Sequence, residues 1–111
     1  MSNVYKNAIY SPTTTANTTV YTCNATARAV IQTIQLTNQS GSHTVEVFVY
    51  DSSATTTTEI AHISLGSNDT ENVAKGPIIL EEGDALLISA ASTVVTGIVS
   101  ILEVNRGSLT N

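Results

Sequence analysis

The chain has 111 residues and a formal net charge of −5; hydrophobic residues make up 41% of it and charged residues only 12%. That length fits one domain with one core, and four cations, Lys6, Arg28, Lys75 and Arg106, cannot form the basic footprint that nucleic-acid binding requires. No apolar run approaches the length needed to cross a bilayer, which argues against a membrane-spanning helix.

The predicted elements are short, β-branched and separated by turn clusters. Val4 to Tyr10 reads as an edge strand or extended arm, broken by Ser11-Pro12 and the Thr13-Thr14-Thr15 tract. Thr18 to Cys23 follows, then a turn at Asn24-Ala25-Thr26 and a long strand from Ala27 to Asn38. In that strand Val30, Ile34 and Leu36 are assigned one face, with Thr33, Gln35 and Thr37 on the other. Asn38-Gln39-Ser40-Gly41-Ser42 supplies residues that tolerate tight-turn geometry. From Thr44 to Tyr50, Val45, Val47 and Val49 alternate with Glu46, Phe48 and Tyr50, the clearest period-two signal in the chain. Asp51 to Thr58 reads as a polar loop, and Glu59 to Leu65 as a strand with Ala61, Ile63 and Leu65 on one side. Gly66-Ser67-Asn68-Asp69 turns the chain into a short segment at Thr70 to Ala74. Ile78-Ile79-Leu80, a turn at Glu81-Glu82-Gly83-Asp84, a strand from Ala85 to Ala91 and a last long strand from Val94 to Val104 complete the series.

No segment carries the 3.6-residue apolar period of a helix. About seven to nine strands with regular turn signals predict an all-β fold, an antiparallel β-sandwich of jelly-roll or Ig-like type. The expected organisation is an N-terminal arm or edge strand over 1–12, a sandwich over 13–104 and a polar tail over 105–111. About one residue in six is Thr, whose branched Cβ suits a pleated surface. A Thr-rich, charge-poor exterior costs little to desolvate and suits a protein covered by neighbours. The apolar runs IIL, ALLISA and GIVSIL barely alternate, which predicts strands covered on both faces, one by the core and one by another subunit. The N-terminus MSNVYKNAIYSP lacks the apolar stretch of a signal peptide, so the mature protein is expected to start near Met1 and to fold in a cytoplasm.

Chemistry-bearing constellations are sparse. Cys23 has no partner for an internal disulfide and reads as a buried, inert thiol. His43 and His62 read as solvated or interface residues. A metal site would need both of them joined by acids, so no metal and no cofactor is expected. No Ser lies in a nucleophile elbow, and no catalytic residue is assigned. The acids of Glu81-Glu82-Gly83-Asp84 are expected to face water; weak calcium binding with Asp69 or Glu71 is the alternative for this loop. The Asn-x-Ser/Thr triplets at Asn17, Asn24, Asn38 and Asn68 read as turn chemistry. Two apolar features stand out as interface candidates. Phe48 and Tyr50 lie opposite the valine face and read as an outward anchor. Tyr5, Ile9 and Tyr10 could reach onto a neighbour by strand addition.

Three stretches, TTVYTCNATARAVIQTIQLTNQSGSHTVEVFVYD, GPIILEEGDALLISAA and GIVSILEVNRG, together resemble small virion proteins of tailed bacteriophages, especially aquatic and cyanobacterial ones. The resemblance implies a sandwich or jelly-roll protein of the virion, assembled in the host bacterial cytoplasm, with no catalytic residues to carry over. The expected function is a capsid decoration (cement) protein. Its implied partners are copies of itself, as a homotrimer, and the phage major capsid protein or another virion protein. A neck, tail or fibre component is the alternative, and a glycan- or calcium-binding sandwich the second alternative. The Thr-rich segment 12–19 departs from the pattern.

Overall fold

A computed structural model describes residues 2–105, and these form nine strands and no helix. The strands are β1 (Ser2–Tyr10), β2 (Thr18–Thr22), β3 (Ala27–Asn38), β4 (His43–Asp51), β5 (Thr56–Leu65), β6 (Asp69–Asn72), β7 (Ile78–Leu80), β8 (Ala85–Ala90) and β9 (Val95–Asn105). All pairings are antiparallel. One sheet runs β1-β9-β3-β6, with β7 also on β3; the other runs β2-β8-β4-β5.

The pairings are nested. β4 pairs with β5, β3 with β6 and β7, β2 with β8 and β1 with β9. This is one long antiparallel ribbon, rolled so that β9 meets β3 and β8 meets β4. That connectivity is a jelly roll, with β6 and β7 together filling one strand position, and it excludes an Ig-like order. Rolling places one face of each sheet inside. Ile31, Ile34, Leu36, Val99 and Ile101 from the first sheet and Val45, Val47, Leu65, Leu86 and Ile88 from the second form the core.

Irregularities set which residues enter that core. In β3 the register against β9 shifts between Ile31 and Thr33, leaving Gln32 as an extra residue. Ala27, Ala29 and Ile31 are therefore buried before the bulge, and Ile34, Leu36 and Asn38 after it. A bulge reverses the inside-outside parity of everything that follows. Val30 consequently lies on the face opposite Ile34 and Leu36, against the sequence expectation. The loop expected over 51–58 is also shorter, because Asp51 ends β4 and Thr56 begins β5. Gly97 faces Leu36 across β9 and β3. A Cβ there would stand 2.6 Å from the backbone carbonyl oxygen of Gln35, so this close approach needs glycine.

Buried polar groups lock the ends of the sandwich. Asn38 is fully buried, and its Nδ2 donates to the carbonyls of Gly41 (2.6 Å), Leu65 (3.0 Å) and Gly66 (3.0 Å). This ties the β3–β4 turn to the β5–β6 turn. At the opposite end the Asp84 carboxylate accepts from the backbone N–H of Ser52 (3.0 Å) and of Glu81 (2.9 Å). Asp84 is buried, which corrects the expectation that the acids of this turn face water: a carboxylate can enter the interior where amides satisfy it.

Candidate functional site

The acids of the 81–84 turn are engaged with the chain itself. Arg28 Nε contacts Glu82 Oε1 at 3.1 Å, and its Nη1 lies 4.0 Å from Glu81 Oε2. Asp69 is remote from them. It pairs with Asn38, whereas Leu80, next to the turn, pairs with Ala29. Nine residues of β3 separate those two points, roughly 30 Å of extended chain. The calcium set that combined this turn with Asp69 therefore does not assemble.

Cys23 is 1% exposed, and its Sγ donates to the carbonyls of Ala27 (3.3 Å) and Leu80 (3.7 Å). Burial, followed by the nearby Glu103 and Glu82 carboxylates, raises its thiol pKa, so the thiolate that would act as nucleophile is disfavoured. Beside it lies a polar cluster that the sequence did not announce. Glu103 is on the inward face of β9 and 6% exposed. It accepts a hydrogen bond from the Tyr21 hydroxyl and longer ones from Lys6 Nζ and Asn105 Nδ2, both at 3.4 Å. The Tyr21 bond is the main cause holding the Glu103 carboxyl below its ordinary value, with burial opposing it and Lys6 assisting. Burial, then the same carboxylate, drives the Tyr21 phenol upward. Every member has a partner within the fold, and the arrangement fastens β1, β2 and β9 together.

The outer faces present more to a partner. On the first sheet the register aligns Tyr5 with Leu102, Leu102 with Val30, and Val30 with Ile79. These four side chains form an apolar row across β1, β9, β3 and β7. Tyr5 is 78% exposed and Ile79 57%, while Leu102 and Val30 are half-buried between them. Ile9 (62% exposed) pairs with Ile98 in a parallel row. Among the outward residues of β1, β9 and β3 the charged one is Arg28, near the start of β3 and one outward position from Val30. The half-alternating run GIVSIL is thereby explained: Val99 and Ile101 point inward, Ile98 and Leu102 outward.

The outer face of the second sheet is more polar. Phe48 sits between Leu87 on β8 and Glu59 on β5, and Tyr50 between Ala85 and Thr57; both rings are half-buried. A shallow open groove lined by Thr19, Thr22, Tyr50 and Leu87 runs beside them. One row further along, Glu46 faces His62. His62 Nδ1 lies 2.9 Å from Glu59 Oε2 and 3.6 Å from Glu46 Oε2.

The structure thus separates the five sequence-selected residues. Tyr5 and Ile9 project from the first sheet, Phe48 and Tyr50 lie on the second, and Tyr10 is 1% exposed within the core. Tyr10 cannot present its ring to a neighbour. Adjacent strand residues point to opposite faces, a signal that already parts Tyr10 from Tyr5 and Ile9. Ile79 and Leu102 lie in runs expected to be covered on both faces, and the sequence pattern assigns Val30 to the core face with Ile34 and Leu36; that the three align with Tyr5 in one row depends on pairings between distant segments. Among the described residues no helix is long and apolar enough to cross a membrane.

No family model matches the chain, and no curated protein matches its sequence. Among solved structures, a chain of the infectious bursal disease virus particle is similar over 95% of this chain, with a TM-score of 0.56 and 10% identity. This chain spans about a third of that viral chain, 32% of its length. A pilus protein of Bacillus endospore appendages aligns over 94% of this chain and 85% of its own, at 14% identity and a TM-score of 0.49. A TNF of S. frugiperda, Eiger, covers 96% of both chains at 10% identity and a TM-score of 0.42. The viral similarity bears on fold alone.

Proposed function

We propose that this jelly roll is a non-enzymatic structural subunit of a virion, of the capsid decoration type. It associates with copies of itself, as a trimer, and with the major capsid protein of a tailed phage. The observation that carries the proposal is the row Tyr5–Leu102–Val30–Ile79 on the nearly uncharged outer face of the first sheet. An exposed apolar side chain gains about 1.5–3 kcal/mol on full burial, and aligned exposed side chains of this kind mark association surfaces. The engagement of Glu81, Glu82, Asp84 and Cys23 within the fold supports a structural over a catalytic role.

The test is solution oligomeric state together with placement in the assembled particle. Sedimentation analysis is expected to give a small oligomer for the wild type and monomer for Tyr5→Asp, with unchanged strand content. Subunit-resolution images are expected to place the protein on the head with the first sheet against a neighbour. A wild type that stays monomeric and does not bind the shell would overturn the proposal, and a position at the neck or tail would replace the decoration role.

A further inference from the structure

We propose that Glu46, Glu59 and His62 form a binding site for one divalent transition-metal ion of the zinc class, on the outer face of the second sheet.

Strand pairing sets Glu46 directly opposite His62 on the solvent side of β4 and β5. Glu59 precedes His62 by three residues, and in a regular strand that spacing would place the two on opposite faces. The β4–β5 register shifts between Val47 and Phe48, so that Val47 faces Ala61 and Phe48 faces Glu59. Ile60 is the extra residue. Its insertion turns Glu59 onto the face of His62, the kind of re-aiming that bulges perform. One imidazole nitrogen and two carboxylate oxygens then converge within 4.8 Å of one another.

Both carboxylates are directed at the same atom, His62 Nδ1, at 2.9 and 3.6 Å. A single proton on Nδ1 bonds well to only one of them. An ion with metal–ligand bonds of 2.0–2.1 Å in tetrahedral geometry separates its ligands by about 3.3 Å, a value lying between the two observed distances. Three donors of mixed imidazole and carboxylate type, with a fourth position open to solvent, suit zinc and its neighbours better than calcium, which takes six or more oxygens. The negative charge here also lacks another cation. Lys6 and Arg28 pair with Glu103 and with Glu81 and Glu82, and among the described residues His62 is the cation-forming group within ion-pair reach of Glu46 and Glu59. The site ties the edge strand β5 to β4 and is separate from the apolar row on the other sheet.

The test uses the full chain, titrated with Co2+ and followed by its visible ligand-field bands, then with Zn2+ in competition. One equivalent of Co2+ is expected to bind, to be displaced by Zn2+, and to raise the unfolding temperature. His62→Ala and Glu59→Gln are expected to weaken binding by at least about a hundredfold, the upper range for outer-sphere changes, because they remove direct ligands. Glu46→Gln should weaken it at least about tenfold, and His43→Ala should leave it unchanged. No ligand-field bands in the wild type, or equal affinity in any of the three ligand variants, would overturn the assignment. So would a loss of binding in His43→Ala.

Discussion

Replacing Tyr21 with Phe removes one oxygen and leaves the ring, so it isolates a single hydrogen bond to a buried charge. Glu103 is 6% exposed and holds two other donors, Lys6 and Asn105, each at the long distance of 3.4 Å. Hydrogen bonds to ionised groups contribute about 1.5–3 kcal/mol. The remaining donors are too distant to replace the phenol fully, so Tyr21→Phe is expected to cost about 2 kcal/mol, or roughly 10 °C in Tm for a chain of this size. Glu103→Gln in the Tyr21→Phe background should cost less than in the wild type, with a coupling of at least about 1 kcal/mol. The pH dependence follows from linkage. Glu103 is held below its ordinary value of 4.5, so near and below that pH the unfolded chain binds more protons than the native one. The contribution is complete above pH 4.5 and is lost as pH falls through the lower native value. Tyr21 is raised from 10.0; its contribution is complete below pH 10 and is lost as pH rises beyond it. Urea unfolding at a series of pH values should therefore show Tyr21→Phe with a shallower acid limb and a shallower alkaline one. A loss below about 0.5 kcal/mol at neutral pH, with the acid limb unchanged, would refute the reasoning.

Gly97→Ala places a methyl group 2.6 Å from the Gln35 backbone oxygen; overpacking against a central strand should cost about 3 kcal/mol in chemical denaturation. Asn38→Asp sets a carboxylate against the three carbonyls of Gly41, Leu65 and Gly66; a loss of at least about 3 kcal/mol is expected, partly recovered at acid pH where the new carboxyl is protonated. Cys23 should resist alkylation in the native protein and react fully in urea, followed by mass spectrometry, because its thiol is both buried and raised in pKa.

Local pattern was enough to identify the fold class. Alternation of Val45, Val47 and Val49 with Glu46, Phe48 and Tyr50, and the β-branched segments around it, specify strands because side-chain direction in an extended chain depends only on neighbouring residues. The same parity separates Tyr10 from Tyr5 and Ile9. What pairs with what is not local. The nesting of β1 with β9 and β2 with β8 joins residues most of a chain length apart, and only the rolled ribbon distinguishes a jelly roll from another sandwich. It also creates the row Tyr5–Leu102–Val30–Ile79. Bulges belong to pairings too: Gln32 moves Val30 out of the phase of Ile34 and Leu36, and Ile60 brings Glu59 beside His62. The inward positions of Asp84 and Glu103 depend on donors from Ser52, Glu81, Tyr21 and Lys6. A charge enters a core only where partners reach it; Glu81 and Asn105 are close in sequence to the acids they serve, but Ser52, Tyr21 and Lys6 are brought by the tertiary structure.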